Sequence, residues 1–260
     1  MPKDPFSHRI IGKAMKTHSA LGPGLVEEFY HQHLVSQLRS DGIEHLSKPR
    51  FDLIYRGYLA DTFEADLVFP GKLIPELKAL RGEFAPSHYT QLLAYLKAWQ
   101  MHVGLLIDFG KASLDPIRVR FDPAEAEFPD ASVPPRLQNS ELSLHLIEIL
   151  RRMHEDIGLG YRETTWQGIF MAALQAESVS FLPSPQVAIF NQGSASLRCI
   201  LVENVCPVSI TALGDGISAA DRAVLQSNLR RLGLPWGIAV HFGRRCVDLR
   251  VIQAPANHHP

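Results

Sequence analysis

Residues 63–80 read Phe-Glu-Ala-Asp-Leu-Val-Phe-Pro-Gly-Lys-Leu-Ile-Pro-Glu-Leu-Lys-Ala-Leu and carry the strongest chemical signal in the chain. Asp66 lies in one apolar stretch; Glu76 and Lys78 lie in the next, two residues apart. Residues i and i+2 of a strand face the same way, so a carboxylate and an ammonium project together from an apolar strand. A turn at Pro70-Gly71 folds the Asp66 stretch back alongside. Register then decides whether a site forms. A two-residue turn sets Asp66 opposite Pro75, whereas a three-residue connection or a bulge sets it opposite Glu76. Pro75 has no N–H to give to a ladder and favours a bulge or an edge. The set suits phosphodiester hydrolysis. Asp66 and Glu76, with the backbone carbonyl of Leu77, offer hard oxygen ligands to Mg²⁺ or Mn²⁺. Such an ion neutralises phosphoryl charge and activates a water. Lys78 can orient that water or stabilise the developing negative charge.

The elements that position these residues follow from periodicity. Ser7–Ala20 carries Ile10, Ile11, Ala14 and Met15 at helical spacing. A Gly-Pro-Gly turn follows, and Glu27–Asp41 reads as a second helix with Tyr30, Leu34 and Leu38 on one side and Gly42 as its cap. Strands are expected over Arg50–Tyr55, Leu59–Phe69 and Leu73–Leu80, a helix over Ser87–Gln100, and a short buried strand over Val103–Phe109.

The chain also resembles itself. His18, Gly24, Glu27 and Tyr30 have counterparts His154, Gly160, Glu163 and Trp166, each 136 residues on. Ala79-Leu80 and the segment Gly104–Gly110 match Ala212-Leu213 and Gly237–Gly243 at an offset of 133, and a three-residue deletion near Gly193 reconciles the two. These constant offsets point to an internal duplication. The division expected is 1–121 for the first domain, 122–140 for a Pro-rich acidic linker, and 141–256 for the second. In the second copy Asp66, Glu76, Lys78, Gln91 and Tyr95 fall on Cys199, Ser209, Thr211, Val224 and Asn228. The apolar frame persists and the charged set is lost, so this half is expected to keep the fold without metal-dependent catalysis.

The Asp66, Glu76, Lys78 arrangement is that of the PD-(D/E)XK nuclease superfamily. Gly24-Leu-Val-Glu27-Glu-Phe-Tyr30 resembles the signature of its GxxExxY family, over roughly Ser7–Phe121. The resemblance implies an α/β fold: two tandem restriction-endonuclease-like domains, each a central mixed sheet flanked by helices. It implies metal-dependent cleavage of nucleic acid, with DNA the expected polymer and Mg²⁺ or Mn²⁺ the cofactor. Glu27 matches a position from which that superfamily adds a carboxylate ligand, and His18 matches a ligand of RecB-type sites. Gln91 and Tyr95 resemble the QxxxY motif of those nucleases and, four residues apart, share a helical face where they can meet substrate. Two departures stand out: Pro75 replaces an expected aliphatic residue, and the second half is an addition to the usual single domain.

Plainer readings stand beside these. Asp66, Glu76 and Lys78 can form a strand salt bridge, Glu27 can serve the helix dipole, and Tyr30 and Trp166 are expected in the core. His18 and His154 suit packing, because both halves carry them. Gln91 and Tyr95 can be a buried hydrogen-bonded pair. His31, His33, His258 and His259 are expected at the surface and Asp108 in a turn. The net charge of −1 argues against tight non-specific wrapping of nucleic acid. Three scattered cysteines suggest neither a disulfide framework nor a zinc site. With no signal-like or membrane-length apolar run, a cytoplasmic protein is expected. The fused copy is expected to make an intramolecular pseudo-dimer with one active site. The competing function is a non-catalytic scaffold that binds nucleic acid or protein, and hydrolysis of a smaller phosphate ester is a third.

Overall fold

A computed structural model of the chain describes residues 4–122, 125–130, 140–189 and 193–254. It divides into two units: residues 1–53 with 62–122, and residues 54–61 with 123–260. Among the described residues there are six helices and several sheets with both parallel and antiparallel pairing. No helix among them is long and apolar enough to cross a membrane.

The first unit opens with α1 (Pro5–Leu21) and α2 (Glu27–Ser40). Helix α1 starts two residues before the expected Ser7 because Asp4 accepts from the Phe6 and Ser7 amides and Pro5 supplies a preset φ at N1. Helix α2 ends where Gly42, at φ 64°, lets its amide reach the Arg39 carbonyl and that of Ile43 reach Leu38. Both helices bury Ile10, Ala14, Tyr30, Leu34 and Leu38 against Leu73, Leu77, Leu105, Ile107 and Phe109.

The strands are β1 (Leu46–Ser47), β2 (Arg50–Tyr55), β3 (Tyr58–Glu64), β4 (Leu67–Val68) and β5 (Ile74–Lys78). Helix α3 (Pro86–Ala98) and strands β6 (Val103–Asp108) and β7 (Ile117–Arg120) complete the unit. The strand expected over Leu59–Phe69 is broken at Ala65-Asp66, because the chain changes partner there: β3 pairs with β2, and β4 with β1. Strand β1 is too short to carry a period, and β7, whose Ile117-Arg-Val-Arg alternation is a strand signal the expected elements passed over, is held by the antiparallel ladder Val103↔Arg120 to Leu106↔Ile117. Strand β5 is the edge of the sheet β5-β6-β7, the place Pro75 tolerates. Its parallel register with β6 runs from Ile74↔Gly104 to Lys78↔Asp108.

The second unit contains α4 (Ser140–Ile157), α5 (Glu163–Ala176), β8 (Phe181–Pro183), β9 (Gln186–Ala188), β10 (Ser194–Ser196) and β11 (Ile200–Val202). It continues with β12 (Cys206–Ala212), α6 (Ala219–Leu232), β13 (Trp236–Phe242) and β14 (Val247–Gln253). The element order is the same as in the first unit. Registers agree as well: Val208↔Ile238 and Trp236↔Gln253 are Pro75↔Leu105 and Val103↔Arg120 moved by 133 residues. Trp166 stacks on Phe242 at 3.8 Å as Tyr30 stacks on Phe109 at 4.6 Å. In this unit five strands form one mixed sheet, β14-β13-β12-β11-β8, and β9 pairs separately with β10. In the first they remain a three-stranded sheet and two pairs, so a single central sheet per domain is not what this unit holds. Pro75 gives a reason. It stands where Val208 pairs with Ile200 and has no N–H to extend that ladder, so β4 and β5 meet at the single bridge Phe69↔Leu73.

Ile54–Asp61 belongs with the second unit, as does the chain from residue 123 on. There Tyr55 donates to Asp156 at 2.8 Å and Thr165 to Asp61 at 2.5 Å, while Ala60 lies over Gly168. Most of the expected linker falls outside the described residues; its stretch 125–130 has no helix or strand.

Gly110 closes the strand end behind Lys78: a Cβ there would collide with the Leu80 backbone carbonyl. Backbone must move to admit it, so Gly110→Ala is expected to cost about 1–3 kcal/mol in urea unfolding. An unchanged midpoint would show that the two segments do not pack this closely.

Candidate active site

Three elements converge on one cluster. Leu77 of β5, with Leu73 just before the strand, enters the core with α1 and α2, and Glu76 and Lys78 lie on the other face. Lys78 Nζ lies 2.6 Å from Glu76 Oε1 and 3.9 Å from Glu27 Oε2. Asp66 Oδ2 accepts from the Leu77 amide at 2.8 Å. The connection between the bridged residues Phe69 and Leu73 has three residues, 70–72, the odd length that the site requires. Continued three residues into each segment, that register sets Asp66 across from Glu76.

Glu76 is 2% exposed, and its Oε2 is buried with no hydrogen-bond partner. Burial, reinforced by the Asp66 charge and opposed by Lys78, pushes its carboxyl up to about 8. Glu27 is also raised, by burial first, with Asp66 adding and Lys78 opposing. Burial alone pulls Lys78 down, but Glu76, Glu27 and Asp66 outweigh it and hold the ammonium above its ordinary range. The cluster thus keeps a firm cation and two carboxyls that resist ionisation until a further positive charge arrives.

Local structure explains the spacing of Gly24, Glu27 and Tyr30. Tyr30 stacks on Phe109, and its hydroxyl donates to the Gly22 carbonyl at 2.7 Å and accepts from the Leu25 amide at 3.1 Å. This ties down the turn that α2 leaves, in which Gly24 adopts φ 101°. Glu27, the first residue of α2, is thereby held toward Lys78. Tyr30 is the core residue expected, and its hydroxyl adds a positioning role.

Other residues land differently. His31, expected at the surface, is 5% exposed. Its Nε2 lies 3.1 Å from the Asp66 carbonyl and so carries the proton, with Ser47 Oγ 3.2 Å from the same nitrogen. It fixes the backbone from which Asp66 projects. Its position one turn after Glu27, on the same face of α2, was the available signal. Asp108, expected in a turn, is the buried last residue of β6, beside Lys78 in the parallel register. Its Oδ1 accepts from Leu80 and Gly110 at 2.9 Å each, and its Oδ2 is buried without a partner. No sequence pattern marks that pairing. His33 is half-buried, its Nδ1 3.2 Å from Thr17 Oγ1. His18 places Nε2 2.8 Å from the Lys111 carbonyl and its ring near Phe109. Facing a carbonyl, that nitrogen acts as a donor, an arrangement that suits packing. Gln91 Nε2 donates to Tyr95 OH at 2.7 Å, and Tyr95 is 6% exposed against Phe63 and Trp99. His258 and His259 lie outside the described residues.

Among the described residues no group of three or more His, Cys, Asp or Glu is already disposed to hold a metal ion. The donor set nonetheless suits a hard divalent cation, which needs one or two carboxylates and keeps several waters. Glu76 Oε2 is a buried oxygen with coordination to spare.

Residues 4–120 match the family model described as the PD-(D/E)XK nuclease superfamily, a span that carries this cluster and ends before residue 123, where the longer segment of the second unit begins. One solved structure, titled "Crystal structure of SSO0001", aligns with 45% of this chain and 78% of its own at 12% identity and a TM-score of 0.29, too loose a likeness to bear on fold or function. No curated protein sequence matches the chain. The first unit is thus similar to nucleases of that superfamily in sequence pattern, and its carboxylates and lysine meet in space.

A carboxyl at about 8 in the fold and 4.5 when unperturbed prefers to be protonated in the folded protein. The stability it contributes is complete below about pH 4.5 and is lost as pH rises through about 8. Metal-free protein should therefore lose melting temperature across that window, and Glu76→Gln should flatten the slope. Parallel pH profiles for the two proteins would mean that Glu76 is not the buried acid described.

Proposed function

We propose that the first unit is a metal-dependent nuclease that hydrolyses phosphodiester bonds of nucleic acid, DNA in the first instance. The buried Glu76 carboxylate, tied to Lys78 on one oxygen and unpartnered on the other, carries this reading. A buried ion pair is poor evidence of stabilisation, and an unpaired buried polar atom costs about 1–3 kcal/mol. Such an atom calls for a use, and ligation of a cation is one. The family match over residues 4–120 supports the same class.

Asp66 and Glu76 would hold Mg²⁺ or Mn²⁺, with the Leu77 carbonyl as a further oxygen and Glu27 as an outer carboxylate. An ion bound there would neutralise charge on the phosphoryl group and acidify a coordinated water. Lys78 supplies a fixed positive charge to the negative charge that develops at phosphorus. Its link to Glu76 must loosen for it to do so, and Glu27 is a second anion within reach. The Asp66–Leu77 hydrogen bond and the His31 contact keep the Asp66 carboxylate from swinging away. Gln91, half-buried on α3 and linked to the buried Tyr95 hydroxyl, is the member of that pair within reach of substrate.

The second unit is read as a degenerate copy without catalysis. Equal element order, equal registers and the paired aromatic stacks support this. Its cleft of about 660 Å³ is lined by Glu163, Asp215, Asp221, Asp248 and Arg250 together with Thr211 and His241, a mainly acidic set unsuited to phosphate.

The absence, among the described residues, of a ready-made three-ligand group favours a second reading, a scaffold that binds without cutting. Incubation with circular and linear DNA, single- and double-stranded, in Mn²⁺ or Mg²⁺ separates the two. Metal-dependent cleavage is expected, reduced by about 100-fold or more in Lys78→Ala and unchanged in Ser209→Ala, the second-unit counterpart of Glu76. Isothermal titration with Mn²⁺ should show weaker binding for Glu76→Ala. Neither cleavage nor a Glu76-dependent Mn²⁺ signal would leave the scaffold standing.

A further inference from the structure

We propose that Phe84, His88 and Tyr89 form a stacking platform for unpaired bases beside the Glu76–Lys78 cluster, which makes single-stranded nucleic acid the preferred substrate; this rests on the nuclease reading above. The three rings lie on the segment that leaves β5 just after Lys78 and enters α3. Phe84 meets His88 edge-on at 5.8 Å and Tyr89 edge-on at 6.2 Å. All three remain partly exposed, unlike the fully buried aromatics of the core. The His88 ring is held in place because its Nδ1 accepts from the Ala85 amide at 3.0 Å. It lies within the field of the catalytic set: burial first, then the Lys78 charge, lowers its pKa, against an opposing pull from Asp108.

The electrostatics of the segment admit a phosphate backbone. The first turn of α3 carries no acidic residue. Arg81 is exposed on the same connection, Lys78 precedes it, and Lys111 balances Glu83 at 2.8 Å. His88, Gln91 and Tyr95 follow at i, i+3 and i+7 and so share one stripe of α3, which runs the platform into the Gln91–Tyr95 pair.

The second unit provides an internal contrast. At the offset of 133, Phe84, His88 and Tyr89 become Ile217, Asp221 and Arg222. Ile217 is buried, and Asp221 is spent on the Ser218 cap of α6. The aromatic set therefore occurs in the unit that has Asp66, Glu76 and Lys78 and is missing where they are missing. A ring set kept only for packing has no reason to follow the carboxylates.

Aromatic rings recognise nucleic acid by stacking on base faces, and duplexed bases already stack on one another. A platform of this kind therefore selects unpaired strands and tolerates any sequence. The chemistry is common to single-stranded DNA and RNA, so both must be tried.

The test uses the full chain in Ca²⁺, with fluorescence anisotropy of labelled single-stranded DNA, single-stranded RNA and a duplex. The wild type should bind one or both single strands more tightly than the duplex. Phe84→Leu/Tyr89→Leu, which keeps apolar bulk and removes the ring faces, should weaken single-strand binding on the order of 10-fold or more and leave duplex binding unchanged. Phe84→Tyr should retain wild-type binding, which separates stacking from folding. Equal single-strand affinity in the wild type and the leucine variant, tighter binding of duplex by the wild type, or no binding of any strand would overturn the platform. Cleavage in Mn²⁺ judges the nuclease reading separately. A ring-dependent binder that cuts nothing keeps the platform and loses the nuclease, whereas metal-dependent cutting indifferent to the leucine changes does the reverse.

Discussion

The Glu76 carboxyl is held out of water between one cation and a second carboxylate, and the first unit is arranged around that constraint. Burial favours its neutral form, Asp66 adds to that preference, and Lys78 at 2.6 Å opposes it. No single partner satisfies both of its oxygens. The strand that carries it must therefore be anchored by other means. Leu73 and Leu77 do this on the opposite face, packed under α1 and α2, while the parallel ladder to β6 fixes its direction. Apolar burial on one face, at about 25 cal/mol per Å², offsets an unfavourable polar arrangement on the other.

The turn and first residues of α2 serve the same end. Tyr30 is a core aromatic by packing and a clamp by its hydroxyl, and the turn it clamps sets where Glu27 begins the helix. One turn on, His31 fixes the Asp66 carbonyl. A single helical face thus governs two of the three carboxylates. The spacing of Gly24, Glu27 and Tyr30 is a structural requirement first, and its chemical consequence follows from it.

The two units separate fold from chemistry. Their ladders agree residue for residue, and a stacked aromatic pair occupies the same place in each. Apolar positions that build the frame are matched between the units while the polar sets differ, because a frame depends on hydrophobicity and volume and a site depends on particular atoms. Pro75 shows the reverse coupling. A residue of the site strand interrupts the sheet, so the unit with the charged cluster is the one whose strands stay divided.

Much was legible in the chain. Helical period placed α1, α2 and α3 within a few residues, the i and i+2 spacing put Glu76 and Lys78 on one face, and the odd connection after Phe69 was the one that a site joining Asp66 to Glu76 requires. The two constant offsets between the halves are visible in the residues alone. These are local properties, written in periodicity and in residues with restricted backbones. Tertiary structure decided the rest. The burial of His31, the pairing of Asp108 with Lys78, the break of the expected long strand at Asp66 and the placing of Ile54–Asp61 with the second unit all depend on which distant segment comes to lie alongside. So does the upward shift of Glu76, since a carboxyl gains its acidity from the water and charges around it, and those are assembled only when the chain folds.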